Sequence, residues 1–357
     1  MTRLNETALS PTFSRIKGFT LVELMISLVL GLLISAAALQ VFYTVSVNSR
    51  RQEASSQLQD NSVFGFSQIQ QHLRRTNYGA RATDQHNEYF MNHNTPQGGV
   101  VLTAPNGSTA LAGKWLNGNL SGLTLDGGAI SKEWLSNSAS SKSISNLKDI
   151  NNSDQLTIQY QSGQDGIFDC EGSPIPKNFY VIERYFVRMD TTVKPSTPGL
   201  ACASAIYHYD AQAAGKESGI DIKEYTVPGE STAKTNNLSG SGTIIIANVD
   251  YFRVMLGVSD SVNFATYPEK SNIAYIPIPA TETVNVALNN KRIVSLQIGI
   301  LARSNSPTVT SQNNSDLRFN IVDKVNTSLK DTAAKGPTYL RDVYESTILI
   351  RNARGGI

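Results

Sequence analysis

Residues 17–47 decide the fold, and they read KGFTLVELMISLVLGLLISAAALQVFYTVSV. Within this stretch, residues 24–47 carry no charged side chain. An α-helix rises about 1.5 Å per residue, so these residues would form a helix about 36 Å long. That length exceeds the hydrocarbon core of a bilayer, which is about 30 Å thick. The stretch therefore predicts a helix that can cross a membrane.

Basic residues precede the apolar stretch and predict its orientation. Arg3, Arg15 and Lys17 stand against one acidic residue, Glu6, before residue 18. A basic flank favours a cytoplasmic N-terminus, which sends the rest of the chain across the membrane. Hydropathy alone leaves three alternatives open: a secretory signal cleaved after residues 36–38, a plain membrane anchor, and a buried core helix.

The composition of the chain excludes several classes of protein. Its 357 residues carry 31 Lys and Arg against 29 Asp and Glu, which argues against a dedicated, strongly basic nucleic-acid binder. With 40% apolar residues the chain can bury a core, so wholesale disorder is excluded. Only Cys170 and Cys202 occur, which excludes a zinc site made of cysteine alone. No HExxH, GxSxG or GxGxxG motif appears, so we expect neither an enzyme nor a cofactor.

A glutamate at the start of the apolar helix needs an explanation. A charged residue at the centre of a membrane helix costs about 2.5–3.5 kcal/mol on insertion scales. Cleavage after Gly18 would give Phe19 a new α-amino group, and Glu23 follows it closely. The two groups are poorly placed to pair within one helix, but they can pair between neighbouring staggered helices. This pattern favours a packed filament of helices.

The segment KGFTLVE, followed by a long apolar helix, resembles the class III signal of type IV pilins and pseudopilins. The resemblance implies that a prepilin peptidase cleaves after Gly18 and N-methylates Phe19. The assembly residues that it implies are Thr20, Leu21, Val22 and Glu23. Removal of residues 1–18 takes three positive charges and one negative charge from the chain, which leaves a neutral mature protein.

The helix is predicted to continue beyond the membrane as an amphipathic half. Apolar residues recur at spacings of mostly three and four from Leu58 to Leu73, which predicts a face packed against a globular head. No proline occurs within residues 12–95, and residues 77–79 (NYG) predict a stop. We therefore predict a helix over about residues 19–76, with Gly31 and Gly65 as its most flexible points. Many major pilins have a proline in the first half of this helix, so its absence favours a minor component.

The remainder of the chain predicts a β-rich head, so the expected fold class is α+β. Eight candidate strands lie at 155–160, 179–187, 203–209, 243–249, 251–258, 293–301, 317–322 and 344–350. Residues 136–153 hold eleven Ser or Asn in eighteen positions, which predicts a long surface loop. Similar loops are expected at 226–242 and 303–316. The predicted division is a leader at 1–18, a transmembrane and assembly half of the helix at 19–47, an amphipathic half at 48–79 and a periplasmic head at 80–357, with candidate subdomains at 80–150 and 151–357.

Several segments of the head resemble the PilW family of minor pilins. They are SDQLTIQY at 153–160, DCEG at 169–172, VIERYFV at 181–187, LAC at 200–202, IANVDYFRV at 246–254 and VYESTILIRN at 343–352. The J-like minor pseudopilins of type II secretion have a similar size and a similar C-terminal sequence pattern. They are the main alternative. A more distant alternative is a periplasmic binding protein or enzyme behind an ordinary signal peptide.

The PilW resemblance implies a protein that primes type IV pilus assembly and supports twitching motility, adhesion and DNA uptake. The partners it implies are the prepilin peptidase, other minor pilins, the major pilin, the inner-membrane assembly platform and the lipid bilayer, with no direct nucleic-acid binding. The implied location is the inner membrane, in a single pass with a cytoplasmic N-terminus and a periplasmic head, and afterwards the pilus.

A periplasmic head would place both cysteines in an oxidising compartment. We therefore expect a disulfide between Cys170 and Cys202. Nearby, Asp165, Asp169 and Glu171 could supply oxygen ligands to calcium, but we favour the interpretation that they form a solvated acidic turn. We expect no other metal site.

Overall fold

The computed structural model describes residues 18–79, 95, 97–104, 118–210, 213, 219–259, 272–279, 288, 291–308 and 313–350. The chain forms two compact units, residues 1–50 and residues 51–357. The second unit contains the end of the long helix and the β-rich head.

One long helix, α1, spans Leu21–Arg75. It begins two residues later than predicted because Thr20 caps it: the Thr20 hydroxyl accepts the Glu23 N–H and the Thr20 carbonyl accepts the Leu24 N–H. The helix ends close to the predicted stop, where Asn77 and Gly79 adopt φ values of 66° and 70°. No proline interrupts the ladder of hydrogen bonds between these ends.

The head contains sixteen strands in its described part. They are β1 (Leu123–Thr124), β2 (Leu156–Gln161), β3 (Ile167–Phe168), β4 (Pro174–Ile175), β5 (Tyr180–Asp190), β6 (Thr197–Tyr207), β7 (Ile220–Asp221), β8 (Glu224–Tyr225), β9 (Lys234–Thr235), β10 (Thr243–Ala247), β11 (Val249–Ser259), β12 (Ile273–Pro277), β13 (Arg292–Arg303), β14 (Phe319–Ile321), β15 (Lys324–Thr327) and β16 (Arg341–Leu349). A short helix, α2, spans Asp331–Ala334, and single 3₁₀ turns occur at Lys132–Trp134 and Asn314–Asp316. All eight predicted strands are present with shifted bounds, and the fold class is α+β.

Two four-stranded antiparallel sheets form the frame of the head. The first sheet has the order β10-β6-β5-β2, and the second has the order β12-β11-β13-β16. Four two-stranded ribbons complete the head: β1 pairs with β7 in parallel, and β3–β4, β8–β9 and β14–β15 are antiparallel. The edge strand β12 was not predicted from the sequence.

Strand β5 separates two cores because its side chains alternate between the two faces of the first sheet. Val181 and Tyr185 face the main core, whereas Tyr180 and Ile182 face a second core that includes residues of the segment 118–135. The main core extends over both sheets and contains the inner face of α1: Leu58, Phe66, Ile69 and Leu73. The amphipathic half of α1 therefore packs on the head, as its sequence pattern predicts.

Residues 136–153 are not the exposed loop that their composition predicts. Ser136 and Ser143 are buried, and the described head encloses much of the segment. The Ser143 hydroxyl donates to the Asp154 carbonyl at 2.8 Å and accepts the Val187 N–H at 2.9 Å. The prediction was wrong because short hydroxyl side chains can satisfy backbone groups of neighbouring strands, which makes a serine-rich segment compatible with burial.

Candidate functional site

The first unit presents the predicted cleavage residues before the start of α1. Gly18 and Phe19 precede the helix, and Phe19 is 79% exposed. A side chain added at position 18 would meet no other atom within 4 Å. The fold of this chain therefore does not itself require glycine there, and a requirement for glycine would have to come from a molecule that acts on this site.

Thr20 caps α1, and Glu23 lies in its first turn. Glu23 follows the capping residue by three positions, where an acidic side chain stabilises the positive end of a helix. Its main chain is bonded to Thr20 and Ser27, but its carboxylate takes part in no hydrogen bond or ion pair of the described residues. These bonds hold the backbone of the predicted assembly acid, while its carboxylate has no partner among the described residues.

The apolar side chains of the first unit have no protein around them. The large apolar residues from Leu21 to Val45 are each more than half exposed. Among the described elements, α1 is the helix long and apolar enough to cross a membrane, and no residue of its apolar window is buried. The hydroxyls of Ser27 and Thr44 donate to carbonyls one turn earlier, at 2.8 and 2.9 Å. Such a surface suits lipid or other apolar helices rather than water.

Gly65 has a packing role that the sequence did not indicate. In the second unit, a side chain at this position would overlap Ile246 and lie 3.1 Å from the carbonyl oxygen of Ile245, on β10. Gly31, by contrast, has open space around it, and α1 runs through both positions without a break. Gly65 therefore lets α1 approach the first sheet closely.

A buried carboxylate joins the end of α1 to the first sheet. Glu183 of β5 accepts hydrogen bonds from the Tyr160 hydroxyl at 2.9 Å, the Tyr185 hydroxyl at 2.7 Å and the Cys170 N–H at 3.0 Å. His72 Nδ1 lies 2.8 Å from Glu183 Oε1. Burial acts to raise the pKa of Glu183, but His72 and these hydrogen bonds outweigh it, so the pKa lies below its ordinary value of 4.5. An ionised carboxylate can only accept a hydrogen bond, so His72 Nδ1–H is the donor in this contact.

The predicted disulfide between Cys170 and Cys202 is confirmed. It ties the turn of the β3–β4 hairpin to the middle of β6, with 6.1 Å between the two Cα atoms. Both residues are buried. Because the Cys170 N–H donates to Glu183, the disulfide stands directly beside the joint between α1 and the sheet.

The three acidic residues considered as calcium ligands accept hydrogen bonds from groups of the protein. Asp165 accepts the Lys177 N–H at 2.8 Å. Asp169 and Glu171 both bind Ser204, whose hydroxyl lies 2.6 Å from Asp169 Oδ2 and 3.0 Å from Glu171 Oε2. Within the described ranges, no group of three His, Cys, Asp or Glu is placed to hold a metal ion.

Comparison with protein families agrees with this arrangement. The family model of the prokaryotic N-terminal methylation motif matches residues 13–39, which include the predicted cleavage and assembly residues. The family model of PilW, the type IV pilus-assembly protein W, matches residues 185–352. The chain is a PilW-like type IV minor pilin. The PilW match begins within β5, so the resembling segments at 153–160 and 169–172 lie before it.

Comparisons of this PilW-like pilin with individual proteins give weaker similarity. No curated protein sequence matches the chain significantly. Among solved structures it is similar to the type IV-like pilin TTHA1219 from Thermus thermophilus, with 13% identity and a TM-score of 0.25, over 58% of this chain and 82% of that one. The prepilin signal implies processing by a prepilin peptidase, anchoring in a membrane and assembly with other pilins, which are the properties of a structural protein.

Proposed function

We propose that this PilW-like pilin primes assembly of a type IV pilus and then becomes part of the filament. The observation that carries the proposal is the Glu23 carboxylate, which has no partner among the described residues and follows the exposed Phe19 by four residues at the start of an exposed apolar helix. Twitching motility, adhesion and DNA uptake would then depend on the pili that it initiates.

The electrostatics of the helix start explain why processing would drive assembly. A helix N-terminus carries about half a positive charge, so a new ammonium group on Phe19 would add to a charge that is already unfavourable. In a membrane neither this group nor Glu23 has water to solvate it. A neighbouring pilin, displaced along the helix axis, would bring the opposite charge to each of them. Lateral packing of the exposed apolar residues would then hold the helices together.

The proposed orientation places the N-terminus in the cytoplasm and the head in the periplasm. The basic residues before Gly18 favour this direction of insertion. The disulfide between Cys170 and Cys202 supports it, since such bonds form and persist in oxidising compartments. In this orientation the mature helix would meet the inner-membrane assembly platform, the other minor pilins and the major pilin.

The matched variants Glu23→Gln and Glu53→Gln test the proposal. Glu53 lies on the same helix, where it is exposed and bonded to Gln57. We expect cleavage of both variants, a loss of about tenfold or more of the Glu23→Gln chain from sheared pili, and wild-type incorporation of Glu53→Gln. Wild-type incorporation of the Glu23→Gln chain would contradict the proposal.

Deletion of the gene separates a pilus from a secretion role. Surface pili, twitching and export of folded proteins are scored in the same deletion strain and after complementation. We expect loss of pili and twitching with normal export. Loss of export with normal pili would assign the chain to a type II secretion system instead.

A further inference from the structure

A cavity of about 360 Å³ opens in the head between the β3–β4 hairpin, β6 and the β8–β9 ribbon. Its volume lies within the range of small-ligand sites, about 300–1,000 Å³. The residues that matter in its lining are Asp169, Glu171, Ser204, Tyr225 and Lys234. The role proposed above for Glu23 and the stem makes no use of this cavity.

The two carboxylates of the cavity are held in fixed positions. Asp169 Oδ1 accepts the N–H groups of Glu171 and Ser173 at 3.0 and 2.6 Å. Glu171 Oε2 accepts the Ser204 N–H at 2.8 Å, and its Oε1 accepts from the Asn237 side-chain amide at 2.8 Å. A site organised in this way loses little freedom when a ligand binds.

Ser204 leaves the pair of carboxylates short of one donor. Its hydroxyl is within hydrogen-bonding distance of Asp169 Oδ2 and of Glu171 Oε2, at 2.6 and 3.0 Å. A hydroxyl has a single proton and can donate to only one of these oxygens at a time. The carboxylate oxygen that does not receive this proton keeps an unused acceptor site. A ligand with an N–H or O–H donor could bind there.

Tyr225 adds an unused polar group to the same wall. Its ring packs edge-on against Phe179, with the centroids 6.4 Å apart, and the residue is only 7% exposed. It lines the cavity, and its hydroxyl takes part in none of the hydrogen bonds of the described residues. Burial raises the pKa of Tyr225, and the negative charges of Asp169 and Glu230 raise it further because they lie near its hydroxyl.

The charge of the cavity selects a cationic ligand. Lys234 is the basic residue of its lining, and the Lys234 ammonium lies 3.2 Å from Glu230 at the same ribbon. The remaining charged residues of the lining, Asp169 and Glu171, are acidic. A bare metal ion is a poor match, since fewer than three His, Cys, Asp or Glu side chains of the described residues converge at one place.

We propose that this cavity binds a protonated primary amine, whose ammonium group donates to Asp169, Glu171 and the Tyr225 hydroxyl. An ammonium group carries three donors and no acceptor, which matches the acceptor sites left unused on the two carboxylates and on the Tyr225 hydroxyl. The same chemistry occurs in small diamines and in the side chain of a lysine on a partner protein. The cavity would thus give the head of the pilin a recognition site that is independent of filament assembly.

Calorimetric titration of the full chain in detergent micelles tests the proposal, with 1,5-diaminopentane as the probe and 1,5-pentanediol as its neutral counterpart. We expect saturable binding of the diamine and none of the diol. The Glu171→Gln variant should weaken diamine binding about tenfold or more, because it removes a charged acceptor. Tyr225→Phe keeps the ring and removes one hydroxyl, so a weakening of about threefold is expected. The matched control Glu224→Gln, on β8 but outside the lining, should bind as the wild type does.

A second titration, with Nα-acetyl-lysine amide, distinguishes the two sources of the amine. Tighter binding of this compound than of the diamine assigns the site to a lysine side chain, and the reverse order assigns it to a small diamine. The proposal is overturned if the diamine shows no saturable binding, if the diol binds equally, or if the folded Glu171→Gln and Tyr225→Phe variants bind the diamine like the wild type.

Discussion

His72 Nδ1 on α1 lies 2.8 Å from Glu183 Oε1 on β5, in the interior of the head. The same carboxylate oxygen accepts the N–H of Cys170, whose sulfur is bonded to Cys202 on β6. One carboxylate therefore holds the end of the long helix, the first sheet and the disulfide hairpin together.

Replacement of His72 tests the strength of the joint. In the His72→Ala variant, Glu183 would stay buried without its hydrogen bond to His72 Nδ1, and leaving a buried charged acceptor short of a partner costs about 1–3 kcal/mol or more. Urea unfolding of the full chain in detergent, followed by tryptophan fluorescence, measures the loss. The matched control is His208→Ala, since His208 is exposed and contacts only the Phe179 ring in the described structure, so its loss should stay below about 1 kcal/mol. Equal losses in the two variants would contradict the account of the joint.

The lowered pKa of Glu183 predicts a specific dependence on pH. A carboxyl group whose pKa falls on folding stabilises the folded state above its unfolded pKa, and this contribution disappears as the pH falls through the folded pKa. The difference in free energy of unfolding between the wild type and Glu183→Gln should be largest near neutral pH. It should shrink as the pH falls below 4.5, the ordinary pKa of a glutamate.

This comparison with the variant isolates Glu183 from other acids. The pKa of Asp154 is raised, first by its burial, so its contribution to stability has the opposite sign and would distort a single pH profile. A difference between wild type and Glu183→Gln that stays constant from neutral pH to below 4.5 would be incompatible with a lowered pKa.

Substitution of the two helix glycines by alanine separates packing from helix propensity. Alanine favours a helix by about 1 kcal/mol over glycine, but overfilling a packed site costs about 1–3 kcal/mol. We expect Gly65→Ala to lower the free energy of unfolding of the head, because the new methyl group would overlap Ile246. Gly31→Ala has open space and should leave the head unchanged. A Gly65→Ala chain as stable as the wild type would show that α1 and β10 adjust without cost.

Removal of the disulfide should destabilise the head through the unfolded chain and through the joint. The bond links residues 32 positions apart, for which the chain-entropy relation gives about 3.7 kcal/mol. The double variant Cys170→Ser/Cys202→Ser in the same urea assay measures this loss, and reduction of the wild type serves as the second measurement. A loss below about 1 kcal/mol in both would mean that the hydrogen bonds of the hairpin hold it unaided.

The helix, the strands and the processing site could be predicted because their signals are local. Residues 24–47 carry no charge, so the apolar stem follows from a short window. Residues 180–187, YVIERYFV, are rich in the β-branched and aromatic residues that favour a strand, and they lie in β5. The two cysteines could be paired because no others compete for them.

The joint and the buried serine segment could not be predicted because their partners are distant in sequence. Glu183 and Arg184 stand out as charges inside an apolar run, but nothing local indicates that His72 satisfies the first. Arg184 points to the opposite face of the sheet, where its Nε donates to the Leu238 carbonyl at 2.9 Å. Burial lowers the pKa of Arg184 to about 10. For Ser143, composition indicated solvent, whereas the backbone of Asp154 and of Val187 on β5 supplies its hydrogen bonds.

The mature N-terminus of the protein tests the central claim most directly. Intact-mass and N-terminal fragment spectra of the chain extracted from membranes and from sheared pili should show the loss of residues 1–18 and an N-methylated Phe19 as the first residue. A chain that still begins at Met1, or one that begins at Leu39 after loss of the apolar stem, would contradict the account.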